Sequence, residues 1–249
     1  MKGLNFDKLG FKAGIEIHQQ LDTHKLFCNC RSNITEQDPI ETIKRNLRPV
    51  AGETGQIDRA ALFESFRKNN FIYKCYSEES CLVEADEEPP HDVNKGALEM
   101  SILLSKMTNS SIPSEIHFMR KTVIDGSNTS GFQRTAIVGM DGFVNTSMGR
   151  VGITNVCLEE EASKIIERKE NEVFYGLDRL GIPLIEIGTA PDIKTPSHAR
   201  ETAEKIGMML RATGRVKRGL GTIRQDVNVS ISGGARIEIK GMQDLKSME

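Results

Sequence analysis

The chain has 249 residues and a formal net charge of -2, from 33 lysine and arginine residues against 35 aspartate and glutamate residues. This length allows one large domain or two small ones, and the nearly neutral charge gives no overall attraction to nucleic acid, so such a partner would need a local basic patch. Apolar runs are only a few residues long and the first residues lack the apolar segment of a secretory signal, so we predict no membrane span and a cytoplasmic location.

The first predicted strand is GIEIH, in which successive side chains point to opposite faces. Ile15 and Ile17 share an apolar face, and Gly14, Glu16 and His18 share the other. This alternation is typical of a strand with one buried face and one polar face.

Four of the five cysteines lie in two short segments, FCNC and CYSEESC. Four thiolates, from Cys28, Cys30, Cys75 and Cys81, would suffice for a structural zinc ion, although the gap between Cys75 and Cys81 is wider than in ordinary zinc knuckles. The alternative is that they are small core residues. Five irregularly spaced cysteines are too few for a disulfide scaffold, which fits a reducing compartment.

Two helices are predicted next, over residues 56–69 and 94–109. The first has apolar residues at helical spacing, namely Ile57, Ala60, Ala61 and Phe63. The second is more clearly amphipathic, with a stripe formed by Ala97, Leu98, Ser101, Ile102 and Ser105. Between them, the acidic stretch at 83–92 contains two consecutive prolines and is predicted to be a loop or a helix entry.

From Ser114 the apolar period changes to two, which predicts a strand into Arg120 and Lys121, a loop, and a second strand. The loop offers hydroxyl and amide donors from Ser127, Asn128, Thr129 and Ser130. These groups would suit a phosphate cradle, but glycine and asparagine also serve turn geometry alone, so a plain hairpin loop is the alternative.

The segment VGITNVCLEEEASK is predicted to be another strand. Val156 and Leu158 share its apolar face, so Cys157 and Glu159 point the other way. We therefore select Glu159 over Glu160, and a slip of one residue would reverse that choice. The alternative is a charged strand end.

The segment DRLGIPLIEIGTAPD places Glu186 inside an otherwise apolar strand. Ile185 and Ile187 point to one face and Glu186 to the other. An ionised glutamate in this position is unfavourable unless a cation or a hydrogen-bond donor meets it.

A helix is then predicted to begin at Thr195 and Pro196 and to end before Gly214. One face carries Ala199, Ala203, Ile206 and Leu210. The following segment is basic and contains no acidic residue; its cations are Arg211, Arg215, Lys217, Arg218 and Arg224. It is a candidate phosphate-binding patch, with a solvated loop as the alternative.

Two further strands repeat the alternation of the first. In DVNVSI the polar residues are Asp226, Asn228 and Ser230, and in RIEIK they are Arg236, Glu238 and Lys240, opposite Ile237 and Ile239. A wet face is the alternative for any one strand, but carboxylates or amides on four strands favour a divalent-metal site.

The last residues begin a helical period with Met242, Leu245 and Met248 but reach Glu249 without a stop signal. We therefore expect the chain to be the N-terminal part of a longer protein, with this apolar stripe unpacked.

Seven segments together resemble the GatB/GatE amidotransferase family, and the resemblance runs nearly from end to end. These segments are GIEIHQQL, FCNCRSN, LVEADEEPPH, RKTVIDGSNTSGFQRTAIV, DRLGIPLIEIGTAPDI, GTIRQDVNVSI and RIEIKGMQDLKSME. The third and fourth are closer to the archaeal E-type members than to the B-type members.

The resemblance implies an α+β, cradle-type domain over residues 1–249, built on an antiparallel sheet with flanking helices. It implies activation by ATP of the glutamate carried on tRNA(Gln), and amidation of that glutamate with ammonia. It also implies an asparaginase-like GatD partner that supplies the ammonia, and a hetero-oligomer with a second E-type chain.

Carried over by residue, the resemblance implies Mg²⁺ ligands at Glu16, His18, Glu159, Glu186 and Glu238. His18 is an unusual ligand for so hard an ion and would alternatively serve a second metal or contact substrate. Candidates for binding ATP phosphates are Arg120, Lys121 and Arg224, and candidates for orienting the metal or the aminoacyl end are Asp226 and Asn228. The sequence contains no P-loop and no GxGxxG motif.

Two other functions would use the same residues. A metal-dependent phosphohydrolase would hydrolyse ATP regardless of charged tRNA. A non-catalytic tRNA-binding module would show no metal-dependent turnover.

Overall fold

The computed structural model describes residues 4–52, 54–67 and 69–248. Within these ranges the helices are α1 (Phe6–Leu9), α2 (Arg59–Ser65), α3 (Lys95–Met107) and α4 (Pro196–Ala212), followed by a 3-10 helix at Leu245–Met248. The strands are β1 (Lys12–Gln20), β2 (Glu41–Asn46), β3 (Asn70–Cys75), β4 (Phe118–Thr122), β5 (Phe132–Thr146), β6 (Gly149–Glu160), β7 (Lys164–Lys169), β8 (Glu172–Gly176), β9 (Pro183–Thr189), β10 (Ile223–Ser230) and β11 (Ile237–Met242).

A curled antiparallel sheet of seven strands dominates the structure, in the order β11-β10-β1-β9-β6-β5-β4. A smaller sheet has the order β2-β3-β8-β7, in which only β3 and β8 are parallel. The α+β class built on an antiparallel sheet is therefore confirmed. No sequence pattern predicted the smaller sheet.

The main core lies on one face of the large sheet, where α3 and α4 pack against its strands. Ile15 and Ile17 of β1 and Ile185 and Ile187 of β9 are buried there, as their alternation predicted. Each fully buried side chain of this size contributes roughly 1.5–3 kcal/mol. The helices cover this face, so the opposite face of the same strands is left for polar side chains.

The predicted start of α4 is confirmed by its capping. The Thr195 hydroxyl accepts a hydrogen bond from the His198 N–H at 3.1 Å, and Pro196 occupies the first turn. Asn94 caps α3 in the same way, from the Ala97 N–H at 3.1 Å. No helix among the described residues is long and apolar enough to cross a membrane.

The prediction of a helix over 56–69 was wrong in extent. Asp58 accepts a hydrogen bond from the Ala61 N–H at 2.9 Å, which starts α2 at Arg59. The helix ends at Ser65, and Lys68 of the predicted span lies outside the described residues.

A β-bulge in β6 decides which of its side chains face the core. Ile153 is buried in the core before the bulge and Val156 after it, so the alternation changes at the extra residue Thr154. Asn155 and Glu159 consequently point to the polar face of the sheet.

Two expectations about the last residues were wrong. Ile237 and Ile239, predicted to form the apolar face of β11, are 65% and 45% exposed because β11 is an edge strand that neither α3 nor α4 covers. The stripe expected to be unpacked is instead docked: the 3-10 helix packs on α4, and Met248 is buried in the main core.

Candidate functional site

The polar face of the large sheet brings the selected side chains into rows that cross neighbouring strands. Successive register partners in one row are Arg224, His18, Glu186 and Cys157. The next row consists of Asp226, Glu16, Gly188 and Asn155. Alternation placed Cys157 on this face, but neither the pattern nor the resemblance assigned it a role. Burial raises its pKa to about 11, so it presents a neutral thiol.

The first group, the histidine cluster, consists of His18, Glu159 and Glu186, which each offer one ligand atom within 4.8 Å of the others. His18 Nε2 lies 3.3 Å from Glu186 Oε2. Lys121 Nζ lies 3.6 Å from a carboxylate oxygen of both glutamates, and the Thr135 hydroxyl donates to Glu159 at 3.0 Å. A lysine thus already occupies the space beside both carboxylates.

Burial and charge together set the protonation of the histidine cluster. Burial disfavours the charged form of His18, but the hydrogen bond with Glu186 and the two glutamate charges outweigh it and raise the pKa of His18. The hydrogen bond from His18 lowers the pKa of Glu186, whereas burial, with the Glu186 charge added, raises the pKa of Glu159. Burial also opposes the charge of Lys121, yet the carboxylates raise its pKa. The cluster is therefore stabilised by opposite charges in contact.

The second group, the acidic cluster, consists of Glu16, Asp226 and Glu238, again with one ligand atom each within 4.8 Å of the others. The Asn228 amide donates to Glu16 at 3.4 Å, and the Gly241 N–H donates to Asp226 at 2.7 Å. Lys240 Nζ lies 3.2 Å from Glu238 and 3.9 Å from Asp226. Every candidate ligand atom in this cluster is an oxygen.

A cavity of about 320 Å³ is lined by Glu16 of the acidic cluster and Glu186 of the histidine cluster. Gly14 and Gly188 form part of its wall. A Cβ added at Gly188 would lie 2.5 Å from Asn155 Oδ1, and one added at Gly14 would lie 3.1 Å from the Thr189 carbonyl oxygen. Because glycine has no side chain, these two positions leave space open beside the carboxylates.

The three cations selected for ATP phosphates have different positions. Lys121 belongs to the histidine cluster, as described above. Arg224 is held by two hydrogen bonds to Glu161, at 2.9 and 3.2 Å, so its guanidinium already binds a carboxylate. Arg120 is the strand neighbour of Lys121 and points to the opposite face, over the Phe132 ring at 5.6 Å. The structure does not bring Arg120 to the carboxylates.

Glu160 lies on the other face of β6 from Glu159. Its carboxylate accepts hydrogen bonds from the backbone N–H of Arg134 at 3.0 Å and from the guanidinium of the same residue at 3.2 Å. Glu160 is therefore engaged by the core-side arginine, and Glu159 is the one that lies beside Glu186.

Two hydroxyl donors of the loop at 125–131 are occupied within the protein. The Thr129 hydroxyl donates to the Glu84 carbonyl at 2.7 Å, and the Ser130 hydroxyl donates to the Phe132 carbonyl at 2.9 Å. Gly126 has φ of 81°, and a Cβ there would lie 2.6 Å from the Phe71 ring. These contacts are those of a hairpin loop. The buried Asn128 amide has no hydrogen-bond partner among the described residues, so one donor of the phosphate-cradle alternative is left.

The cysteines form a third group, the thiol cluster, which consists of Cys28, Cys30, Cys81 and Glu84. The Cys28 thiol donates to Glu84 at 3.0 Å, and the Cys81 N–H donates to the same carboxylate at 2.9 Å. Inclusion of Cys75 in a four-cysteine site was wrong, because Cys75 ends β3 and packs against the core of the smaller sheet. The available signal for Glu84 was its position three residues after Cys81, within one turn.

The basic segment does not form a single patch. Arg224 is directed to Glu161, and Arg215 lies 3.6 Å from Glu99. Arg211 and Arg218 are exposed, and Leu220 between the cations is 99% exposed. The segment is therefore a projecting turn with a few solvated cations.

Residues 11–249 match the GatB/GatE catalytic domain. The chain is 55% identical over 247 residues to the E-type chain of the glutamyl-tRNA(Gln) amidotransferase from Methanocaldococcus jannaschii, a match that covers 99% of this chain and 39% of that protein. It is 55% identical over 243 residues to the protein of the same name from Methanothermobacter thermautotrophicus, covering 97% of this chain and 39% of the relative. It is 54% identical over 251 residues to the protein of the same name from Methanosarcina acetivorans, covering 100% of this chain and 40% of the relative. The chain thus spans well under half the length of these relatives.

Proposed function

This chain belongs to the GatB/GatE catalytic-domain family, and from that premise we propose that it carries the carboxylate-activating centre of a glutamyl-tRNA(Gln) amidotransferase. In the proposed reaction, ATP phosphorylates the side-chain carboxylate of glutamate carried on tRNA(Gln), and ammonia then displaces the phosphate to give glutaminyl-tRNA. The proposed setting is the cytoplasm, in an assembly with a second E-type chain and an asparaginase-like GatD partner that releases ammonia.

The observation that carries this proposal is the placement of the acidic and histidine clusters beside one cavity on the polar face of the sheet. Phosphoryl transfer to a carboxylate requires little covalent help from the protein. It requires positive charge to offset the phosphates and donors to orient the acceptor. Carboxylates that hold a divalent cation, together with nearby amides, meet both requirements.

The donor set of the acidic cluster fits Mg²⁺, because Glu16, Asp226 and Glu238 offer only carboxylate oxygens. Bound Mg²⁺ would offset phosphate charge during transfer. The histidine cluster fits it less well, since His18 offers nitrogen and Lys121 already neutralises part of its charge. His18 is therefore proposed to hold a second, softer ion or to contact the substrate.

The remaining polar residues would position the reactants. The Asn155 amide, 3.4 Å from Glu186, and the Asn228 amide, 3.4 Å from Glu16, fix the orientation of the two carboxylates. Lys121 supplies a fixed positive charge beside Glu159 and Glu186. Gly14 and Gly188 let a ligand approach the sheet closely.

We expect ATP consumption by the assembled enzyme to depend on both Mg²⁺ and tRNA(Gln) charged with glutamate, with free ammonium as the nitrogen donor. The measurement is ADP release with charged tRNA, with uncharged tRNA and without tRNA. ADP release that ignores the tRNA would indicate a phosphohydrolase. Tight tRNA binding without any metal-dependent turnover would indicate a binding module.

We also propose that the thiol cluster holds a structural zinc ion, because three thiols and one carboxylate suit the four-coordinate geometry of zinc. Cys81→Ser is expected to weaken zinc binding by at least roughly tenfold, on the scale that disturbing a metal site produces. Cys75→Ser makes the same chemical change outside the cluster and should leave zinc binding unchanged. Zinc content after dialysis against a chelator is the measurement, and equal loss in both variants would contradict the assignment.

A further inference from the structure

Two cations that were not selected as phosphate ligands line the cavity between the clusters. Lys12 is the first residue of β1, and Arg236 directly precedes β11. Both side chains are exposed. Within the described part of the chain, neither has an ion-pair partner.

Strand alternation puts both cations on the same face as the carboxylates. Lys12 has the parity of Glu16 in β1, and Arg236 has the parity of Glu238 in β11. At the rise of a β-strand, Lys12 lies about 13 Å along the chain from Glu16, with Gly14 between them. Because Gly14 has no side chain, no side chain of β1 stands between Lys12 and Glu16 on this face.

The other cations near the carboxylates are already engaged. Lys121 contacts the histidine cluster, Arg224 binds Glu161, and Lys240 contacts the acidic cluster. A polyphosphate carries several negative charges and would be repelled by carboxylates unless cations faced it from another side. Lys12 and Arg236 are the cations that the cavity offers for this purpose.

We propose that Lys12 and Arg236 bind the phosphate chain of the nucleotide in this cavity, so that the chain lies between them and the metal-binding carboxylates. The inference rests on the proposed function, because it deepens the assignment of the same site. The arginine suits two phosphate oxygens at once, and the lysine acts as a point charge. Thr154, Thr189 and Ser230 also line the cavity. Its volume of about 320 Å³ lies at the lower end of the range for small-molecule sites.

The test compares Lys12→Ala, Arg236→Ala and the double variant with Lys106→Ala, which removes an exposed lysine from α3, away from the cavity. Calorimetric titrations with Mg²⁺ present use ATP, ADP, AMP and inorganic triphosphate as probes. Each cavity variant should weaken ATP and triphosphate binding by roughly tenfold, the scale of one charged hydrogen bond. The loss of affinity in the cavity variants should be largest for ATP and smallest for AMP. Lys106→Ala should bind all probes like the wild type.

The possible outcomes separate this inference from the function on which it rests. If wild-type protein binds Mg²⁺ and ATP and all three cavity variants bind them equally well, the inference is overturned and the proposed function stands. Wild-type protein that binds neither ATP nor triphosphate would overturn both. A parallel titration with charged tRNA covers the other source of phosphate. If the variants lose tRNA affinity but keep ATP affinity, the two cations bind the tRNA backbone instead and the inference is wrong.

Discussion

Glu186→Gln is expected to lower the proposed ATP-dependent activation of tRNA-bound glutamate by roughly 10²–10³-fold, the loss typical of removing a group that stabilises charge in the transition state. Glu186 contacts His18 Nε2 at 3.3 Å and Lys121 Nζ at 3.6 Å. It also accepts a hydrogen bond from the Asn155 amide at 3.4 Å. Glutamine keeps the volume and the strand but removes the charge that these cations, or a metal, require. His18 then loses the negative charge of Glu186, which contributes to raising its pKa.

The fold should survive this change. The substitution removes one of two like charges beside Lys121, which offsets part of the lost attraction, so we expect unfolding free energies within about 1 kcal/mol of each other. Glu204→Gln on α4 is the matched control, because among the described residues its carboxylate pairs only with Arg200, at the surface. The measurements are ADP release with charged tRNA and chemical denaturation of both variants. Wild-type turnover in Glu186→Gln would remove this residue from the mechanism.

Lys25→Met is expected to destabilise the protein by about 3–5 kcal/mol, the effect of breaking a buried charge pair from one side. The Lys25 side chain is fully buried, donates to the carbonyls of Glu79 and Leu177, and lies 3.9 Å from Glu84. Methionine fills the same space but leaves two carbonyls without a donor and the Glu84 charge without its cation.

The control for this prediction is Lys44→Met, whose ammonium lies 3.3 Å from Glu172 at the surface with 57% of the side chain exposed. Exposed pairs contribute at most about 1 kcal/mol, so this variant should unfold nearly like the wild type. Denaturant unfolding in the presence of a chelator is the appropriate measurement, because Glu84 also belongs to the thiol cluster. Equal stability of the two variants would show that Lys25 does not compensate a buried charge.

The parts of the structure that were predicted from sequence are those set by local periodicity. Alternation within β1 and β9 depends only on neighbouring residues, so the buried isoleucines and the polar face that includes Glu186 follow from it. The same holds for α4, whose cap and first proline are local signals.

The parts that were not predicted depend on contacts between distant segments. The bulge at Thr154 reverses the alternation, so counting from Ile153 instead of Val156 would have selected Glu160. The smaller sheet arises when β3 pairs with β8 across the chain. Cys75 packs against the core of this sheet and lies outside the thiol cluster. No local pattern encodes these pairings.

The position of β1 between β9 and β10 has a consequence for biosynthesis. Asn228 and Glu16, which are joined by a hydrogen bond, are 212 positions apart in the chain. Contacts between residues so far apart in the sequence form slowly, because the entropy cost of closing the loop between them must be overcome first. During translation, the sheet around the β1 carboxylates therefore stays incomplete until β10 and β11 have left the ribosome. A growing chain cannot assemble the acidic cluster before Glu238 has been added, so this cluster forms only after nearly all of this sequence has been made.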